Sequence, residues 1–355
     1  MITGDLDAEL GRSLRELAEA GKLPEEAVLV PGGTWRPAPA GGPGSYATSL
    51  PFEIARLAGR TPEDVAALLA SSLSAEPWID SAQPSGEGYL TVIVTAHALA
   101  CVAPQIVAAG TACARSEILR GTSAVIRAWP DPAAAAGWDQ AWERQAEAMT
   151  GRLAEAAGAA AVFPSDGERA VPGARVRRSA NSPVLAAVAY FGVSAVRYRL
   201  ARTLPGRTAQ LAQEASASHR GADHYSAVQL AHAEAASALR WAAELELDLV
   251  EPGEKLASAL DSEAERELLG LLSWLPVRVA AAARRHRPDE VPRYLEAVAA
   301  AWETCRQAAP ALPFGGATAP TDLSVSSARL LLADALRLAL EAGLALAGIT
   351  ARDRI

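Results

Sequence analysis

The sequence predicts a mainly α protein with a small α+β unit at its N-terminus. Three observations lead there. Half of the 355 residues are hydrophobic but only 5% are aromatic, and alanine, the best helix former, dominates. From Val184 onward the chain is almost continuously helical in pattern. Near the N-terminus a β-branched run, YLTVIVT at 89–95, reads as a strand.

The elements follow in order. Leu6, Leu10, Leu14 and Leu17 stand at helical spacing and predict a helix over 5–21. PGGTWRPAPAGGPGS (31–45) is rich in proline and glycine and predicts loop. A helix is expected from Leu50 to Leu57. Thr61-Pro62-Glu63-Asp64 then supplies a cap, a proline at the first helical position and early acids before VAALLASSL. The strand at 89–95 completes the unit. Residues 130–183 carry less signal; PDPAAAAGWDQAWERQAEAMTGRLAEAAG (130–158) predicts a helix with a loop before it, and an irregular segment follows. Further helices are expected at 184–203, 207–218, 224–247, 254–259, 262–286, 289–309 and 325–347. Residues 89–114 carry no full charge over a membrane-spanning length, but Pro104, Gln105, His97 and several threonines interrupt them, so a buried strand followed by a buried helix is the reading.

Composition excludes some functions. The formal net charge is -8, so a global basic footprint for DNA or bulk nucleic acid is absent, and neither a DNA partner nor a membrane is expected. Three scattered cysteines, Cys101, Cys113 and Cys305, form neither a disulfide framework nor a zinc spacing and fit a reducing cytoplasm. The first residues, MITGDLDAELGRSLREL, have acids and no apolar core of signal-peptide type. Lysine occurs only at Lys22 and Lys255. Arginine is unevenly placed: between Ala170 and Gln213 there is no acid, while Arg175, Arg177, Arg178, Arg197, Arg199, Arg202 and Arg207 all fall there. This is the best electrostatic candidate for a phosphate surface, against the plainer reading of an exposed face balanced by acids elsewhere in the fold.

Longer correspondences point to a family. SARLLLADALRLALEAGLALAGITARDRI (327–355), with Asp334-Ala335-Leu336-Arg337 at its heart, resembles the end of the anticodon-binding domain of arginyl-tRNA synthetases. DHYSAVQLAHAEAASALRWA (223–242) resembles the family's Gln-Tyr-Ala-His-Ala-Arg helix, and residues 262–305 resemble the helices after it. AVAYFGVSAVRYRLAR (187–202) resembles the stem segment, and PGSYATSLPFEIARLAGRTPEDVAALLASSL with GEGYLTVIV resembles the N-terminal additional domain. The resemblance covers about 5–100 and 184–355. It implies an elbow-binding α+β domain at 1–100, an Ala-rich connector at 101–183 in place of the catalytic domain, and a stem helix with a helical bundle of the class I synthetase anticodon-binding type at 184–355.

The resemblance has gaps. Adenylate formation by such enzymes depends on positioned cations and donors around the triphosphate. Only about 80 residues separate the two matched blocks, and His-x-Gly-His and Lys-Met-Ser-Lys-Ser occur nowhere. RVRRSANSP (175–183) stands where the second signature would be. Glu234 replaces the usual arginine after Ala-His-Ala, and Cys305 and Arg306 replace an aromatic pair. The resemblance therefore implies a tRNA partner, an arginine acceptor, for a chain without catalytic residues or cofactors; transferred by family alone, the label would be arginine-tRNA ligase with ATP binding. The alternative is a module docking on a synthetase or biosynthetic enzyme. Candidate RNA contacts are Arg175, Arg177, Arg178, Arg197, Arg199, Arg202, Gln229, His232, Arg240 and Arg337. No metal site is expected: His219, His224 and His232 lack a carboxylate or cysteine to complete a ligand set. Trp138 and Trp142 are i, i+4 and are expected to anchor a helix in the core.

Overall fold

A computed structural model describes residues 2–30, 35–39, 41–164, 182–211, 224–247, 253–312 and 323–355. The chain is mostly helical and divides into two compact units. One contains Met1–Gln105, Asp248–Trp274 and Ala308–Leu332; the other contains Ile106–Leu247, Leu275–Gln307 and Ala333–Ile355. These units do not follow the three consecutive blocks read from sequence, because segments of the C-terminal half belong to the first unit.

In the first unit, helix α1 (Ile2–Glu19) buries Leu6, Leu10, Leu14 and Leu17 on one stripe. A four-stranded antiparallel sheet has the order β1-β2-β4-β3, with β1 Trp35–Pro37, β2 Ser45–Thr48, β3 Ile79–Ser85 and β4 Tyr89–Val94. Leu90, Val92 and Val94 alternate inward along β4, as the period of a half-buried strand requires. The loop expected at 31–45 is thus partly strand: Trp35 faces Thr48 and Pro37 faces Tyr46. Pro37 lies on an edge strand, where its missing N–H costs no ladder bond. Helices α2 (Leu50–Ala58) and α3 (Pro62–Leu73) pack together, and Thr61 Oγ1 caps α3 by accepting from the Asp64 N–H. Helices α4 (Ala96–Ala100) and α5 (Val102–Ala109) begin after β4.

Segment 248–274 joins this unit through specific contacts. The Tyr46 and Ser273 hydroxyls are 2.8 Å apart, and the Tyr46 and Trp274 ring centroids are 5.0 Å apart. Burial pushes the Tyr46 phenol well above its ordinary range.

In the second unit, α6 (Trp138–Ala156) is the long element of the region expected to be a connector. Its Trp138 is buried, and the Trp142 indole N–H donates to the Thr203 carbonyl at 3.0 Å, so both tryptophans anchor the helix. A parallel pair, β5 (Ser123–Val125) with β6 (Ala160–Val162), lies beside it. The expected helix at 184–203 is two, α7 (Pro183–Phe191) and α8 (Val193–Arg202), bent by 120° at Gly192 with φ +84°. Helix α9 (His224–Glu244) follows.

The expected helix at 262–286 is likewise broken. After the short α10 (Leu256–Ala259) come α11 (Glu263–Ser273) and α12 (Leu275–Arg284). Pro276 falls in the first turn of α12, where a missing N–H is tolerated; inside a continuous helix it would clash with the preceding turn. Helix α13 (Glu290–Ala308) precedes α14 (Leu323–Ala345), and α12 packs on α6. Among the described residues, Ala96–Ala114 is helical, long and apolar enough to cross a membrane, and the bent pair α7–α8 passes the same test; Val102, Ala103 and Ile106 within the first stretch are fully buried.

Candidate nucleic-acid interface

The candidate residues that are described lie in the second unit. Arg175, Arg177 and Arg178 lie outside the described residues.

Helix α9 turns Gln229 and His232 inward, and both are buried. The two residues hold the end of the chain. Gln229 Nε2 donates to the Thr350 carbonyl at 3.4 Å, and Gln229 Oε1 accepts from the Arg352 N–H at 3.0 Å. His232 Nδ1 lies 3.1 Å from the Arg352 carbonyl, so Nδ1 carries the proton and donates. Two turns on, Arg240 Nη1 donates to the Asp353 carbonyl at 3.0 Å. Burial pushes the His232 imidazolium down from its ordinary range, and the bond to Arg352 opposes that only in part. Three candidates on one helix thus strap residues 350–353 along α9.

The arginines of α8 differ among themselves. Arg197 is a clasp: Nη1 donates to Gly348 O at 2.8 Å and Nη2 to Pro130 O at 2.9 Å. Burial lowers its pKa from the ordinary arginine value, with Asp131 opposing. Arg202 Nε meets Glu296 Oε1 at 2.7 Å, and the same carboxylate takes the Tyr198 hydroxyl and, at 3.3 Å, His224 Nδ1. Arg199 stacks on Phe191 at 3.9 Å. Arg337 pairs along its own helix with Asp334 at 2.7 Å and Glu341 at 3.2 Å.

The positions that depart from the family pattern also meet. Glu234 on α9 and Arg306 on α13 form an ion pair at 3.2 Å, and Arg306 also reaches Glu303 at 2.6 Å. Burial raises the Glu234 carboxyl and Arg306 lowers it. Cys305 is buried beside this pair in sequence. The two charge changes therefore complement each other across two helices.

Sequence reading missed one basic surface. Helix α12 ends in Arg284-Arg285-His286-Arg287 and turns into α13. Arg287 grips Asp289 with two bonds, 2.7 and 2.9 Å, and Arg293 Nε lies 3.5 Å from the same carboxylate, which is 1% exposed. Arg293 Nη2 lies 3.4 Å from the Arg202 carbonyl, so this turn adjoins the end of α8. The signal in the sequence was the RRHR run itself, which stood inside the segment read only for its resemblance to the family's helices.

Among the described residues no group of three His, Cys, Asp or Glu side chains is placed to hold a metal. Cys101 Sγ is 3.6 Å from His97 Nε2, but burial raises the thiol, so this pair lacks a ready thiolate.

Two family descriptions fit this architecture. One, the arginyl-tRNA synthetase N-terminal domain, matches residues 7–94; the other, the DALR anticodon-binding domain, matches 228–355. Two segments of the chain thus match domain families, one named for arginyl-tRNA synthetase and one for anticodon binding. An arginine-tRNA ligase of Paenarthrobacter aurescens (strain TC1) is 35% identical over 168 residues, 47% of this chain and 30% of that protein. One of Pseudarthrobacter chlorophenolicus is 36% identical over 168 residues, with the same two shares. The synthetase-like chain thus matches less than a third of the length of these curated relatives. The solved Thermus thermophilus arginyl-tRNA synthetase is similar in fold, with TM-score 0.59, 14% identity and 100% of both chains covered.

Proposed function

We propose that this synthetase-like chain binds tRNA, an arginine acceptor, without aminoacylating it. The observation that carries the reading is the ordered pair of modules at 7–94 and 228–355, joined by a segment without a triphosphate-binding signature. Class I adenylation needs cations and donors positioned around the phosphates, and the linking sequence contains neither the His-x-Gly-His nor the Lys-Met-Ser-Lys-Ser set. Arg199 and Arg202, near the surface of α8, are phosphate contacts in this reading. Arg197, Gln229, His232 and Arg240 support it indirectly, by holding the C-terminal bundle together. Purified protein is expected to give no arginine-dependent exchange of pyrophosphate into ATP, with or without tRNA, while retarding tRNA at low salt. Exchange by contaminant-free protein would overturn the non-catalytic part.

One observation favours a second reading, docking on a synthetase or biosynthetic enzyme. Leu230 and Trp241 are about half exposed on one face of α9, and the equally exposed Leu245 directly follows the helix. In that reading Leu230→Ser with Trp241→Ser abolishes capture of the partner and leaves tRNA retardation as it was.

A further inference from the structure

We propose that RNA phosphates are gripped at the turn between α12 and α13, together with the end of α8. The proposal rests on the tRNA-binding reading and narrows it to one turn within the matched segment 228–355.

The argument begins with the local backbone. Arg287 N–H donates to Ala282 O and His286 N–H to Ala283 O, the two bonds of a Schellman ending, with His286 at the left-handed position, φ +52°. Glycine takes that conformation at least cost, and a non-glycine residue there is uncommon. Pro288 then blocks helix continuation. The turn therefore holds four consecutive basic residues, Arg284 to Arg287, around a tight reversal. Disfavoured backbone retained in a charged turn is grounds for a functional hypothesis.

Charge availability comes next. Asp289 is buried and shared by Arg287 and Arg293, so one carboxylate holds two guanidiniums in place. Arg285 pairs with Glu290 at 3.3 Å in a largely exposed contact, which screening weakens. Arg284 is exposed at the last turn of α12. Arg202 joins from α8, held by Glu296 at 2.7 Å. Four arginines, Arg202, Arg285, Arg287 and Arg293, thus pair with three carboxylates, Glu296, Glu290 and Asp289, and Arg284 stands exposed directly before Arg285 on the chain. Guanidiniums fixed in orientation by a buried carboxylate, Asp289, and a partly buried one, Glu296, with exposed neighbours of the same sign, suit the tetrahedral oxygens of a phosphate backbone. A purely structural reading also exists: cations at a helix C-terminus stabilise the helix through its dipole. The two readings differ in what they affect, stability in one case and RNA affinity in the other.

The test is anisotropy titration of fluorescent bulk tRNA at several salt concentrations, with a thermal melt on each variant. The variants are R284A/R285A and R284E/R285E, with R120A/R266A as a control for removed charge. With the full chain binding tRNA, losing two phosphate contacts should weaken binding about tenfold or more and reduce the salt slope by about two, the control changing neither. R284A/R285A guards against a charge-reversed variant that merely unfolds. Unchanged affinity and slope in folded R284A/R285A would overturn the location while leaving tRNA binding intact. Failure of the unaltered chain to bind tRNA would overturn both the location and the function on which it rests.

Discussion

Two sets of arginines in the second unit make an instructive contrast. Arg197, Arg240 and Arg337 drew attention in the sequence through an acid-free stretch or a family motif, but their guanidiniums end on backbone carbonyls or on carboxylates of their own helix. Arg284 and Arg285 drew none, yet both stand exposed, Arg285 paired with Glu290 in a largely exposed contact. Charge along the chain is therefore a poor guide to charge available to a ligand. What decides is whether each guanidinium's hydrogen bonds are already satisfied inside the fold.

The contrast can be broken by substitution, and the largest effect belongs to Arg197. Arg197→Ala removes two charge-assisted bonds and leaves the Gly348 and Pro130 carbonyls short of a donor. A loss of about 2–3 kcal/mol in denaturant unfolding is expected. The salt slope of tRNA binding should not change, since this side chain is a clasp.

His232 comes next. Burial holds its folded pKa below the ordinary histidine value of about 6.5. The neutral form is the one that fits, so its contribution is intact above about 6.5 and is lost as pH falls through that value toward the lower folded one. Amide protection in residues 350–353, measured against the intrinsic exchange rate at each pH, should therefore fall between pH 7.5 and 5.5. His232→Gln, which keeps a donor but does not titrate, should flatten that dependence. An equal loss of protection in the variant would mean that the strap is released by something other than His232.

A smaller effect of opposite sign is expected at the basic turn. His286→Gly relieves the left-handed strain and should stabilise the chain by about 1 kcal/mol, read from the melting temperature. Destabilisation would show that the imidazole itself packs into the turn. The smallest effect belongs to Glu234 and Arg306. Their partly exposed pair should give a coupling of under about 1 kcal/mol in a double-mutant cycle. A much larger coupling would make the pair a fold determinant.

Much of the architecture was legible. The leucine spacing of α1, the Thr61-Pro62 start of α3, the β-branched run of β4 and the bounds of α9, α13 and α14 all follow from local chemistry, and local chemistry is what periodicity reports. The breaks were harder. Gly192 interrupts an apolar run whose helical period continues on both sides, so nothing in the pattern marks the 120° bend. Trp274 ends α11 one residue before a helix that tolerates Pro276 in its first turn. The composition of the two units was not legible at all, because it depends on contacts such as Tyr46 with Ser273, 227 residues apart. The site was half legible for the same reason. Gln229 and His232 were expected as RNA contacts, but both are buried against the carbonyls of Thr350 and Arg352, partners that residue type does not reveal.

The central claim is that the chain binds tRNA without charging it. Sequencing the RNA that co-purifies with the tagged, full chain tests it most directly. The account predicts tRNA enriched over other RNA, with arginine acceptors foremost and their 3′ ends no more aminoacylated than in the starting pool. Protein that purifies free of RNA at low salt, or that carries RNA with no enrichment of tRNA, would contradict it.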